Sequence, residues 1–174
     1  IYDGADAVML SAESASGRYP VEAVSIMHGI VCEVERDPAW RAGLEASHTP
    51  AAANTPDAIC CALRRVAGLL EPAATVAYTT SGFSALRASR ERPTTPILAL
   101  TPQLATARRL ALAWGVHPVP FEEVHDVTEM VEHAGSAAVS HGFAGPGDVL
   151  VVIGGLPFGT SGSTNLLHVA RIPG

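Results

Sequence analysis

Between Thr75 and Arg90 the chain reads TVAYTTSGFSALRASR. An apolar run of strand type leads into a loop of hydroxyls and glycine (Thr79, Thr80, Ser81, Gly82, Phe83, Ser84), and an Ala/Leu/Arg helix opens at once. Backbone N–H groups at a helix N-terminus, joined by short hydroxyls, make a cradle for a phosphate. The same residues also suit a plain capped helix, in which Ser81 or Ser84 caps and nothing binds. Other reactive types are less organised. Cys32, Cys60 and Cys61 have no metal-ligand spacing, and the seven His are scattered without an HxxEH or HxH arrangement, so no metal site is predicted. Cys60 and Cys61 fall in a helical pattern that packs them, which fits a reducing cytoplasm.

The cradle needs a frame, and hydrophobic periodicity supplies one. Residues 5–10 (ADAVML) read as a short buried strand, followed by a polar turn at Ser11–Pro20. Pro20 then sits at a favoured first helical position, ahead of Val21, Val24, Met27, Ile30, Val31 and Val34 at helical spacing. Residues 36–53 hold two Pro, a Gly and small or polar side chains, and read as a linker. Domain boundaries are therefore expected at 1–36, 37–53 and 54–174.

From Asn54 the pattern turns regular. Thr55 is expected to cap a helix with Pro56 first and Ile59, Leu63, Val66, Ala67 and Leu70 inward. Strand Thr75–Thr79, helix Ser84–Arg90, strand Ile97–Leu100, helix Pro102–Ala113, strand Val116–Val119 and a helix opened by Asp126 follow in alternation. Val149–Ile153 is wholly apolar, as a parallel strand covered on both faces should be. The last strand, Asn165–Ile172, follows the Gly-rich loop GGLPFGTSGST with no crossover helix, so it is predicted antiparallel and at an edge. The expected fold is a three-layer α/β/α arrangement around a mainly parallel, open five-stranded sheet.

Composition narrows the partners. Hydrophobic content of 48% with 16% charge is globular, and no apolar run approaches the roughly 20 residues of a membrane span. A net charge of −6 argues against nucleic-acid and anionic-membrane partners. All eleven basic residues are Arg. Ile1 falls inside what reads as a strand, so a piece of a longer protein is expected.

The opening DGADAVMLSAESASGRYPVEAV closely resembles the end of the catalytic barrel of the pyruvate kinase family, whose pattern reads D-x-x-M-L-S-G-E-T-A-x-G-x-Y-P-x-E-A-V. The match runs through Asp6, Met9, Leu10, Ser11, Glu13, Ala15, Gly17, Tyr19, Pro20, Glu22 and Val24. Ala12 and Ser14 depart from the pattern's Gly and Thr. SRERPTTPILALTP is similar to the family's Arg-x-Arg-Pro…Pro-Ile…Thr-Pro segment, and GDVLVVIGG…GSTN to its closing strand and loop.

The resemblance implies that residues 1–36 are the last strand and helix of a TIM barrel, and residues 54–174 the C-terminal regulatory domain. It implies that Thr79–Ser84 grips the phosphate of an allosteric effector, with Gly159, Thr160, Ser161, Gly162 and Ser163 in a segment closing over it. Ser11 and Glu13 are then candidates for the rim of the active site, or merely shape a strand–helix turn. The parent enzyme would move a phosphoryl group from phosphoenolpyruvate to ADP, using Mg²⁺, K⁺ and a Lys on earlier barrel strands. This chain has no Lys, so catalysis and a resident cofactor are not expected of it alone. The expected partners are a sugar or nucleoside monophosphate, the chain's own catalytic barrel and further copies in a tetramer. Two other readings stay open: a free-standing phosphate-binding module of the same fold, and an assembly domain with an empty cradle.

Overall fold

The computed structural model describes residues 1–160 and 162–174. It divides into two units, Ile1–Thr49 and Pro50–Gly174.

The first unit is helical: α1 (Ala12–Ala15), α2 (Pro20–Arg36) and α3 (Pro38–Ala46). The expected strand at 5–10 does not form. A single parallel strand has no ladder partner for its N–H and C=O groups, and the unit offers none. The stretch read as a linker holds α3. Its Asp37 side chain accepts from the Ala39 N–H, Pro38 occupies the first turn, and Trp40 is buried with its indole N–H donating to the Ile1 carbonyl at 3.2 Å. Asp-Pro before an apolar residue is a helix start, and Trp40 anchors what composition alone presented as loop.

The second unit begins with α4 (Thr55–Leu70), capped one residue earlier than expected. Asn54, not Thr55, is the cap: its Oδ1 accepts from the Asp57 N–H at 3.0 Å, while its Nδ2 donates to Asp57 Oδ2 at 3.2 Å. Then come β1 (Ala74–Tyr78), α5 (Phe83–Arg90), β2 (Ile97–Thr101), α6 (Leu104–Leu110), β3 (Val116–Pro120), α7 (Val127–Ser140), β4 (Val149–Gly155) and β5 (Thr164–Arg171). Helix α6 is shorter than its apolar pattern. Beyond Leu110 the backbone tightens, with the Leu112 and Ala113 N–H groups bonding three residues back.

The sheet runs β3-β2-β1-β4-β5, with parallel pairing up to β4 and an antiparallel β5 at the edge. Alternating residues of each central strand enter opposite cores, as a period of two demands. Val76, Leu98, Leu100, Leu150 and Val152 pack with Met130, Ala134 and Ala138 of α7. Ala77, Ile97, Ala99, Val151 and Ile153 pack with Cys60 and Leu63 of α4, Ala85 and Ala88 of α5 and Leu110 of α6. The outcome is the expected three-layer α/β/α sheet.

Connections from β1 through α5 and α6 walk toward one edge on one face. The α7 connection returns over the other face to β4. Strand β1 thus lies beside the point where the winding reverses, and a crevice opens at the carboxyl ends of the strands.

Candidate functional site

Strand β1 delivers the chain to this crevice, and the loop after it is held by its own hydroxyls. Thr79 Oγ1 accepts from the Gly82 N–H at 2.9 Å. The Thr80 carbonyl accepts from Thr106 Oγ1 at 3.0 Å, and the Ser81 carbonyl from Arg109 Nη2 at 2.7 Å. Gly82 takes φ 91°, a left-handed conformation that favours glycine, and a Cβ there would lie 3.3 Å from Leu110. Helix α5 then starts with no side-chain cap. Its first internal bond, Leu86 N–H to Gly82 C=O, leaves the N–H groups of Phe83, Ser84 and Ala85 outside the helical ladder. The plain capped-helix arrangement, with Ser81 or Ser84 as cap, is therefore not formed.

Ser84 is buried within the first turn, and its Oγ lies 2.5 Å from Thr164 Oγ1. That bond ties the cradle to the start of β5, where the second loop ends. Asn165 closes the base of this loop by accepting from the Leu156 N–H at 2.8 Å and donating to the Leu156 carbonyl at 2.7 Å. A Cβ on Gly155 would come within 2.2 Å of Ser163 Oγ, so the two arms approach too closely for any other residue. Ser163 Oγ donates to the Thr160 carbonyl at 2.7 Å.

The two loops line one cavity of about 180 Å³. Thr79, Thr80, Ser81 and Ser84 line it together with Gly159, Thr160, Gly162 and Ser163. Gly82 and Phe83 support the cradle from behind: Gly82 is buried against α6, and the Phe83 ring carries the Arg87 guanidinium 4.2 Å from its centroid. Ser161 lies outside the described residues. Ser11 and Glu13 belong to the other unit, where Glu13 Oε2 accepts from the Ser11 N–H at 3.0 Å and backbone hydrogen bonds hold its carboxyl below the ordinary value.

Two features were not read from the residues alone. Tyr78, the last residue of β1, lines the cavity, as do His125 and Phe158. Glu122 and Glu123, which the sequence offers as an acidic stretch unfavourable to a second phosphate, also line it. The basic residues differ most from expectation: Arg87 and Arg90 look like the nearby cations in sequence, but both pair with buried Asp57, Arg90 at 3.1 Å. Among the described residues, Arg109 of α6 reaches this loop, through the Ser81 carbonyl. Position could have flagged Tyr78, since it sits at the carboxyl end of a parallel strand.

Comparison with known proteins agrees with this architecture. The family described as "Pyruvate kinase, alpha/beta domain" matches residues 57–170. A pyruvate kinase of Agrobacterium vitis is 48% identical over 172 residues, covering 99% of this chain and 36% of that protein. One of Methylorubrum extorquens is 43% identical over the same length, with the same coverage. A crystal structure of a pyruvate kinase from Cryptosporidium parvum superposes with a TM-score of 0.82 at 26% identity, over 98% of this chain and 34% of that one. The chain thus spans about a third of the length of its curated relatives. It belongs to the pyruvate kinase family, and its second unit is that family's C-terminal α/β domain.

Proposed function

We propose that the second unit is the regulatory part of a cytoplasmic pyruvate kinase and binds a phosphorylated effector in the cavity between Thr79–Ser84 and Gly159–Ser163. One observation carries the reading: two hydroxyl- and glycine-rich loops line a single cavity, at the reversal point of the sheet, beside an uncapped helix N-terminus. In the whole enzyme a phosphoryl group passes from phosphoenolpyruvate to ADP. An effector changes that activity only through unequal affinity for two conformations, and the loop ending at Thr164 is the element whose position a ligand would bias. Edge strand β5 is the surface we assign to assembly of copies into a tetramer.

The cavity favours one phosphate over two. The cradle supplies hydroxyls and helix N–H groups, while Glu122 and Glu123, which line the same cavity, repel a second anion. Glucose 6-phosphate, ribose 5-phosphate or AMP should therefore bind more tightly than fructose 1,6-bisphosphate. Calorimetric titration of the four ligands tests this, with Ser84→Asp expected to abolish binding by placing a carboxylate in the cradle. Tighter binding of the bisphosphate, or unchanged binding in the variant, would overturn it.

Catalysis is assigned to the remainder of the enzyme. The chain has no Lys, and among the described residues no group of three or more His, Cys, Asp or Glu is placed to hold a metal ion. These residues do not fit the family's Mg²⁺ and K⁺ sites. The isolated chain should show no turnover in a lactate dehydrogenase–coupled assay with both ions supplied; activity above background would refute that assignment.

A further inference from the structure

His117 near the start of β3 and His141 at the end of α7 stand 24 positions apart in sequence, yet their rings meet. They do so toward the amino ends of the strands, at the opposite end of the sheet from the cavity. His117 Nε2 lies 3.3 Å from His141 Nδ1, and both residues are exposed. The Phe143 ring packs on His117 with centroids 5.1 Å apart and helps to fix its plane. Two imidazole nitrogens, each about 2.0–2.1 Å from one tetrahedral ion, are themselves about 3.3–3.4 Å apart. We propose that His117 and His141 form a surface site for a divalent transition-metal ion such as zinc, which joins edge strand β3 to the end of α7.

The donor set decides the class of ion. Imidazole nitrogens suit zinc, copper or nickel, whereas magnesium takes oxygen ligands and keeps its water. Binding turns both lone pairs toward one point: His117 ligates through Nε2 with its proton on Nδ1, and His141 through Nδ1 with its proton on Nε2. Without an ion those lone pairs oppose each other unless one nitrogen carries the proton, and the metal takes that proton's place. Electrostatics favours a cation at this point. His141 closes the C-terminus of α7, its backbone N–H bonding to the Ala137 and Val139 carbonyls, and that end of a helix carries negative partial charge. The chain's net charge of −6 acts in the same direction. Among the described residues no third His, Cys, Asp or Glu joins the pair, so water completes the coordination. Such an open site loads and unloads with the free metal concentration, unlike a closed structural site with four protein ligands.

The test is calorimetric titration of the 174-residue chain with Zn²⁺, beside its His117→Ala, His141→Gln and His28→Ala variants. His28→Ala is the control, because His28 and Cys32 approach to 3.6 Å on α2 and offer a second pair of donors. Wild type should bind an ion that His117→Ala and His141→Gln each hold at least about tenfold more weakly, since loss of even a ligand's supporting partner costs that much. His28→Ala should retain it. Zn²⁺ should raise the Tm of wild type and of His28→Ala more than that of the other two variants, and Mg²⁺ should raise none. Binding curves for His117→Ala or His141→Gln that match wild type would overturn the proposal, as would a loss seen in only one of the two. A measurement without substitution stands beside this one: Co²⁺ added to wild type should shift and broaden the imidazole resonances of both His117 and His141. Resonances of these two left unmoved while others shift would place the ion elsewhere and overturn the site.

Discussion

Ser84 Oγ is joined to Thr164 at 2.5 Å, so in the proposed site a phosphate would meet Ser84 through its backbone N–H, while Thr80, Ser81 and Thr160 offer exposed hydroxyl residues. A different residue governs alkaline stability. Cys60, fully buried on α4, has its thiol pushed up from 9.0 to about 12, chiefly by loss of water and further by Glu91, with Arg90 opposing. Both folded and unfolded thiols hold their proton below pH 9. As pH rises from 9 toward 12, the unfolded thiol ionises first and draws the equilibrium toward the unfolded state. Stability should therefore fall over that window, and Cys60→Ala should show a smaller fall than wild type between pH 8 and pH 10.5. Urea midpoints at the two pH values measure it; identical falls in the two proteins would refute the assignment.

Helices α4 and α5 are held together by charge as well as by packing. Asp57, only 2% exposed, accepts from the Ala52 N–H at 3.1 Å and from Asn54, and pairs with Arg87 and Arg90 of α5. Arg90 also reaches Glu91, which is itself fully buried, at 3.1 Å. Removing one member of such a group leaves uncompensated charge away from water, which typically costs about 3–5 kcal/mol. Asp57→Ala should destabilise the second unit by about that amount in urea unfolding, while Glu33→Ala, which breaks an exposed pair with Arg36, should cost under about 1 kcal/mol. A loss at Asp57 no larger than at Glu33 would show that the network contributes only geometry. These pairings also explain why the cavity draws no cation from α5: Arg87 and Arg90 are turned to the α4 side of their helix.

Across the whole molecule the two units differ in how well each buries its own surface. The second has two cores, one on each face of the sheet. In the first, none of the residues of α2 is buried, and Val21, Val24, Ile26 and Ile30 are all exposed. Hydrophobic surface left in water contributes nothing to holding a helix in place. Amides of 20–36 should therefore exchange with deuterium far faster than those of 149–153, and a chain cut to 50–174 should unfold with nearly the same midpoint as the full one. Equal protection of α2 and β4 in monomeric protein would refute this.

Periodicity, turn residues and one helix-free connection were enough to determine the alternation of strands and helices from Asn54 onward, the parallel sheet and the antiparallel final edge. Those features follow from local backbone preference and from which side chains must leave water, and both are written in residue order. The loop from Thr79 to Ser84 was legible for the same reason, being a run of neighbours. What only the tertiary structure decided lies between distant residues. Arg87 and Arg90 look free in sequence because their partner, Asp57, sits on another helix. Tyr78 reads as an ordinary strand residue until the second loop and the 122–125 segment close a cavity around it. Residues 5–10 carry strand character, but a strand is a property of pairs, and no partner strand lies within their unit. Hydrogen bonding and burial over long sequence separations set these outcomes, and no local pattern encodes them.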